Sequence, residues 1–285
     1  MDSTNKKLER KVLDYGLVRL IDTMPLSNDS KTSFEEAIVQ MARVSYGSGT
    51  KSFREDIGLV KYLLENDHTS PFEGVVLKFH LKMPIFVARQ WVRHRTASIN
   101  EYSARYSVVE DSFYIPEISR LNEQSASNKQ SSSESVIKDS EYVHSLINEH
   151  SNRSYAIYKE LLDKGLSREL SRMVLPVNVY TEMYWVMNLH NLLKFLRLRM
   201  DKHAQYEIQV FANAIFEILS EIAPNIMSIW KSSSLDSIKF THEEIDVISP
   251  FIKYDFSNEI TKDGWSKRRK ESLLEKIRKF FNGRI

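Results

Sequence analysis

Residues 75–107 read VVLKFHLKMPIFVARQWVRHRTASINEYSARYS. The first nine alternate in the manner of a half-buried strand. Pro84 can then open a helix, because its fixed φ and missing N–H are tolerated at the first helical position. The spacing predicts a helix over PIFVARQWVRHR, with Arg93, His94 and Arg95 at its C-terminal end. The segment from Arg93 to Ser107 is too poor in large apolar side chains, Ile99 and the tyrosines apart, to be core. Arg93, Arg95 and Arg105 therefore point to something anionic. On a helix, alternate residues face different directions, so Arg93 and Arg95 would serve different groups or different ligands.

Outward from this unit, GLVRLIDTM from Gly16 has strand-like β-branched content, and FEEAIVQMARVSYG and SFREDIGLVKYLLEND carry apolar residues at helical spacing. Together they predict an α+β fold. HTSPFEG at 68–74 reads as a turn or helix start, because a Ser-Pro pair disfavours continued helix before the proline. Residues 121–136, LNEQSASNKQSSSESV, lack periodicity and read as a flexible surface insertion without a chemical role. From Glu141 to Pro176 the pattern is helical, with Ser167 as a plausible N-cap ahead of RELSRMVLP. A long, mostly helical stretch over 188–224 supplies much of the core. The expected division is a catalytic domain over 1–230 and a mostly helical C-terminal extension over 231–285. That extension ends in a basic amphipathic segment, read as a solvated helix with one docked face ahead of a membrane or partner contact.

With 285 residues and 42% apolar composition, the chain can bury a sizeable core. Lys+Arg 40 against Asp+Glu 38 leaves little net charge, so nucleic-acid binding driven by bulk charge is disfavoured and any anion site must be local. The first sixteen residues are charged and lack a signal-peptide core, and no apolar run reaches the length of a membrane span, so the expected location is cytoplasmic, without membrane or nucleic-acid partners. Cysteine is absent. A disulfide, a thiolate metal site and a cysteine nucleophile are thereby excluded. The histidines lack the close pairing of a metal helix, so no metal is expected, and there is no GxGxxG or GxxxxGK[ST] turn.

Arginine offers a planar fork of donors suited to phosphate. Beside Arg93 and Arg95, the side chains of Ser98, Asn100 and Ser103 can bind sugar hydroxyls or base edges, and Glu101 can accept from an N–H or hydroxyl. This combination suggests a nucleotide. A polar helix-to-loop junction whose arginines cap carbonyls explains the pattern equally well on its own. Arg168 and Arg172, four apart, form a second cluster, and Arg199 sits in the apolar run FLRLRMD. A buried arginine needs a partner; a ligand, or a salt bridge to Asp201 or Glu207, would provide it.

Arg93-His94-Arg95 followed by Ser103 resembles the signature of the flavin-dependent thymidylate synthases. The likeness extends in order through HTSPFEG, FYIPE, SRELSRMVLPVNVYTE and NLHNLLKFLRLRMDKHAQYEIQ, covering most of residues 14–230. The resemblance implies an α+β domain of antiparallel strands packed with long helices. It further implies a homotetramer with sites shared between subunits, which makes dTMP from dUMP. Methylenetetrahydrofolate would supply the carbon and NADPH would reduce the bound FAD. A cysteine-free chain suits this chemistry, because a flavin hydride donor can reduce the activated base without an enzyme thiol.

By position, the resemblance implies Gln90, Trp91, Val92, Arg93, Glu101, Tyr102, Ser103, Ala104, Arg105, Arg172 and Arg199 for dUMP, several through backbone atoms. Arg199 would favour the ionised uracil. FAD would meet Ser70, Arg93, His94, Arg95, Glu101, Asn188, Leu189, His190 and Lys194. His68 is implied near flavin and folate, and Tyr106 at a ring-stacking or wall position. The catalytic set is thus Arg199, His68 and Ser103, the last as an orienting group, since a hydroxyl without a base is a poor nucleophile. His190 and Lys194 depart from the family pattern and imply altered flavin contacts. The competing reading is a nucleotide- or RNA-binding protein that keeps the anion-binding turn without catalysis.

Overall fold

The computed structural model describes residues 8–25, 33–44, 53–126, 132–251 and 267–280. Strands β1 (Glu9–Val12) and β2 (Gly16–Met24) form a hairpin. Helices α1 (Phe34–Arg43) and α2 (Phe53–Glu65) follow, then β3 (Val76–Pro84), α3 (Ile85–Trp91) and β4 (Ser98–Glu101). The next elements are the short strands β5 (Asn122–Gln124) and β6 (Ser132–Val136), the 24-residue helix α4 (Ser140–Asp163) and one turn of helix, α5 (Arg168–Ser171). Strand β7 (Tyr180–Asn188) leads directly into α6 (Leu189–Arg199), and α7 (Tyr206–Ile222) and α8 (Pro224–Trp230) complete this part. The main sheet has the order β1-β2-β3-β7-β4, with every neighbouring pair antiparallel.

The alternation read in the sequence becomes the core. Leu77, Phe79, Leu81 and Met83 of β3 and Met183, Trp185 and Met187 of β7 point to the helical side and are buried. Trp91 of α3 is 0% exposed, with its ring centroid 4.4 Å from Phe195, 5.1 Å from Trp185 and 6.3 Å from Phe211. Truncating such a side chain to alanine costs about 3–5 kcal/mol, so α3 is anchored by this residue. Gly16 permits the tight β1–β2 turn: a Cβ there would lie 2.3 Å from the Val12 carbonyl oxygen and 2.8 Å from Phe211. The opposite face of the sheet carries Lys78, His80, Lys82, Glu182 and Tyr184, with His80 stacked on Tyr184 at 5.1 Å and 3.0 Å from a Glu182 oxygen.

Several details differ from the sequence expectations. Helix α3 stops at Trp91, and Arg93, His94 and Arg95 lie in the turn beyond it. The segment 180–188, to which periodicity assigned no element, is a central strand. The described part of 121–136 forms a two-stranded ribbon. The region 141–176 is interrupted: Gly165 takes φ +83, and Ser167 precedes α5 without a side-chain cap. Its hydroxyl makes no cap hydrogen bond, and its carbonyl accepts from the Ser171 hydroxyl at 3.0 Å.

The chain divides into two compact units at Leu235/Asp236. In the second, α9 (His242–Ile248) begins with a capping box between Thr241 and Glu244, and α10 (Lys267–Phe280) brings Phe280 edge-on to Phe240 at 6.4 Å. Among the described residues, no helix is long and apolar enough to cross a membrane.

Candidate active site

Because β3 and β7 are antiparallel, with Pro84 opposite Tyr180 and Val76 opposite Asn188, α3 and α6 leave the sheet from opposite ends. The eleven residues of α6 span about 16 Å, which brings Arg199 in its last turn to the C-terminal end of α3. There the Arg199 Nε donates to His94 Nε2 at 3.0 Å, and Nη2 donates to the Gln90 carbonyl at 3.2 Å. That carbonyl belongs to the last turn of α3, where helix acceptors lack i+4 donors, and it also accepts from the Arg93 N–H at 3.4 Å. Arg199 pairs with no carboxylate among the described residues, so neither Asp201 nor Glu207 is its partner. Its positive charge is fixed in direction and uncompensated.

This contact also sets the state of His94. Burial first, and then the Arg199 charge, lower its pKa to about 4, so the ring is neutral at physiological pH. Accepting at Nε2 places its proton on Nδ1, an assignment that follows from the hydrogen bond. The ring stands edge-on to Phe195 at 4.8 Å. Burial likewise lowers the Arg199 pKa, although arginine keeps its charge at neutral pH.

A hydrogen-bonded chain continues from Gln90 into the protein. Gln90 Nε2 donates to Gln205 Oε1, and Gln205 Nε2 donates to Glu207 Oε2 at 2.8 Å. The other Glu207 oxygen accepts from the Tyr114 hydroxyl at 3.0 Å, and Glu207 is only 9% exposed. Burial, followed by the Glu207 charge, pushes the Tyr114 pKa upward, so this phenol stays a donor.

A second group forms around Glu169. Arg105 Nη2 lies 3.1 Å from Glu169 Oε2, Arg172 Nε donates to the Glu169 carbonyl at 3.3 Å, and Arg168 Nη1 donates to the Tyr106 carbonyl at 2.7 Å. The turn 103–106 and α5 thus bring three guanidinium groups together on the surface. Ser103 Oγ accepts from the Arg105 N–H at 3.4 Å and has no base beside it, which fits an orienting role better than a nucleophilic one. Glu101 accepts from the Thr181 hydroxyl at 2.7 Å, and Tyr102 donates to the Val108 carbonyl at 2.9 Å. Ala104 packs on the small second core, Tyr106 is exposed, Val92 is half-buried, and Trp91 has no exposed surface for a ligand. Arg93 and Arg95 are exposed and pair with no carboxylate among the described residues.

The remaining flavin-type residues gather at the other end of α6. Ser70 opens the short 3₁₀ turn Ser70–Gly74 and is exposed. His68 stands edge-on to Tyr62 at 5.6 Å. Asn188 caps α6: its Oδ1 accepts from the Asn191 N–H at 3.0 Å and from Asn191 Nδ2 at 2.9 Å, so its own amide N–H groups remain to donate. Leu189 is buried, while His190 is half-buried one turn from exposed Lys194. Burial and the Lys194 charge lower the His190 pKa, against the opposing influence of Glu73 and Asp67. Within one chain the flavin-type residues therefore fall at both ends of α6, with Lys194 midway along it. A cavity of about 450 Å³ lined by Arg10, Asp14, Tyr114, Arg120, Tyr206 and Glu217 contains none of the residues implied by the sequence.

Sequence reading missed Glu169, Thr181, Gln205 and Glu207 as site members. Gln205 and Glu207 reach partners 115 and 93 residues away, and only their adjacency to a helix start was visible.

Fold and site together define an α+β protein with a fixed inner guanidinium and an outer arginine surface suited to an anionic ligand. The chain belongs to the thymidylate synthase complementing protein family, whose pattern matches residues 20–225. It is 50% identical over 242 residues to the flavin-dependent thymidylate synthase of Dictyostelium discoideum, covering 84% of this chain and 79% of the relative. With the protein of the same name from Ehrlichia ruminantium (strain Gardel) it shares 46% identity over 269 residues, 94% of this chain and 87% of the relative. Among solved structures, the UMP/dUMP methylase PolB from Streptomyces cacaoi, bound with 5-Br dUMP, superposes with a TM-score of 0.68 at 29% identity, covering 78% of this chain and 97% of PolB.

Proposed function

We infer that the chain is a flavin-dependent thymidylate synthase, a methyltransferase that converts dUMP to dTMP with methylenetetrahydrofolate as carbon donor and NADPH as reductant. The observation that carries this reading is Arg199, a cation held by His94 and the Gln90 carbonyl with no carboxylate against it among the described residues. Such a charge stabilises negative charge as it develops on a bound pyrimidine, and it needs no reorganisation at the moment of reaction. Without cysteine, the chain cannot activate the base by thiolate attack.

The other residues take roles that follow from their surroundings. Arg105 and Arg172, with Arg93, suit a phosphate monoester, and Ser103 orients the nucleotide. Glu101, fixed by Thr181, can accept from a ligand N–H or hydroxyl. FAD supplies the hydride when bound. The residues present fit it: Arg93 and Arg95 offer forks that pair with no carboxylate among the described residues, Asn188 has amide N–H groups to donate, Ser70 and His190 add donors at the start of α6, and Lys194 adds one midway along it. His68, exposed two residues before Ser70, is the group we assign to the flavin and folate. The separation of the two flavin-type sets favours sites shared between subunits of a homotetramer. A cytoplasmic location accords with the reductant and folate it requires. The alternative of a non-catalytic nucleotide- or RNA-binding protein lacks support, since relatives at 46–50% identity are named as enzymes.

The test is a visible spectrum of the purified chain, anaerobic reduction with NADPH, and addition of dUMP and methylenetetrahydrofolate. Flavin that is reoxidised as dTMP appears supports the reading. A protein that takes up no FAD and forms no dTMP after reconstitution sinks it.

A further inference from the structure

We propose that Glu207 and Gln205 determine which pyrimidine base the site accepts by fixing the hydrogen-bond polarity of Gln90. The proposal rests on the reading that this site holds a pyrimidine nucleotide beside Arg199. A carboxylate only accepts, and both Glu207 oxygens are engaged, one by the Tyr114 hydroxyl at 3.0 Å and the other by Gln205 Nε2 at 2.8 Å. Gln205 must therefore turn its NH₂ toward Glu207 and its carbonyl oxygen toward Gln90. Gln90 must in turn donate its NH₂ to Gln205. Its own Oε1 then remains as an acceptor, with no protein donor among the described residues.

An amide that could rotate freely would offer a ligand either a donor or an acceptor. Here the buried charge two residues removed in the chain of contacts selects the acceptor. The neighbouring Arg199 guanidinium offers only donors. The pair thus presents donors from Arg199 and one acceptor from Gln90 at the C-terminal end of α3. Neutral uracil has carbonyl acceptors on either side of its N3–H donor, which matches that set as the base binds, before negative charge develops beside Arg199. Cytosine has no hydrogen on N3 and would set a lone pair against the Gln90 oxygen. Rejection of a base that leaves buried polar groups unpaired is stronger than rejection by shape alone. Glu207 and Gln205 are in this account positioning residues; Gln90 is the group that meets the ligand.

The test measures dissociation constants for dUMP and dCMP in the FAD-loaded protein by calorimetry. In Glu207→Gln the new amide can keep accepting from Tyr114 while donating to Gln205, which reverses every link and turns the Gln90 NH₂ outward. The expected result is a fall of about tenfold or more in the preference for dUMP over dCMP, as dUMP weakens and dCMP strengthens. Gln205→Leu, at an exposed position, cuts the chain and lets Gln90 rotate; the preference should fall there too, without inversion, and thermal stability should hold. Should Glu207→Gln fail to fold, Gln205→Leu decides alone. Equal weakening of both nucleotides, or an unchanged ratio, in a folded variant overturns the relay. A wild-type chain that binds neither nucleotide overturns the functional reading as well, whereas a wild type that methylates dUMP with variants of unchanged selectivity overturns the relay alone.

Discussion

The two arginine regions of this protein are built on opposite terms. Arg199 is half-buried, held by a neutral histidine and a helix carbonyl, and faces no carboxylate among the described residues. Arg105, Arg168 and Arg172 are exposed: Arg105 pairs with the Glu169 carboxylate, Arg172 donates to the Glu169 carbonyl and Arg168 to the Tyr106 carbonyl. The first arrangement resists screening and fixes a direction, which suits acting on charge that develops during a reaction. The second is open to water and salt and can exchange Glu169 for another anion, which suits capture of a phosphate. The same residue type is thus held on two different terms, one suited to chemistry and the other to binding, and the difference lies in what holds it.

Removing Arg199 should have the largest effect. Arg199→Ala is expected to lower kcat by about 100- to 1,000-fold, the range for loss of one preorganised donor, and saturating dUMP should not restore it. Steady-state dTMP formation checks this. Arg105→Ala should raise the KM for dUMP about 10- to 100-fold, as expected for a lost charge-assisted hydrogen bond, while kcat recovers at saturation. A KM that stays put would remove Arg105 from phosphate capture.

The inner region also carries a pH signature. His94 has an ordinary pKa of 6.5 when unfolded and about 4 in the fold. Below pH 6.5 the unfolded chain takes up the proton and the folded chain does not, so the stability present above 6.5 is lost as pH falls toward 4. The thermal midpoint should drop over that window, and the drop should shrink in His94→Gln. The smallest expected effect is at the middle of α6. Lys194→Ala should weaken FAD by only a few-fold, because an exposed lysine is largely screened; unaltered affinity would take Lys194 out of the flavin site.

The same contrast governs what the sequence discloses. Strands β2 and β3 were legible because one face is buried and the other wet. Strand β7 alternates too, through Thr181, Met183, Trp185 and Met187, but Tyr184 and Val186 on its other face blur the pattern. The four residues of β4 carry no buried side chain at all; they are a strand because β7 offers them hydrogen bonds. The helix before Arg93 ends earlier than its apolar spacing suggests, since Arg93 and His94 bond back to Gln90 and Trp91 in a closing turn. At the site, the exposed arginines could be picked out by residue type within short segments. The His94–Arg199 contact and the chain from Gln90 to Glu207 depend on tertiary pairing across more than ninety residues, and only the fold reveals them.

The most direct measurement is a single turnover: prereduced enzyme mixed with methylenetetrahydrofolate and saturating dUMP, with dTMP followed in wild type, Arg199→Ala and Arg105→Ala. The account predicts that Arg105→Ala forms dTMP at close to the wild-type rate once saturated, and that Arg199→Ala remains slow at any dUMP concentration. An Arg199→Ala enzyme that recovers the wild-type rate at high dUMP would contradict it, because both arginines would then serve binding alone.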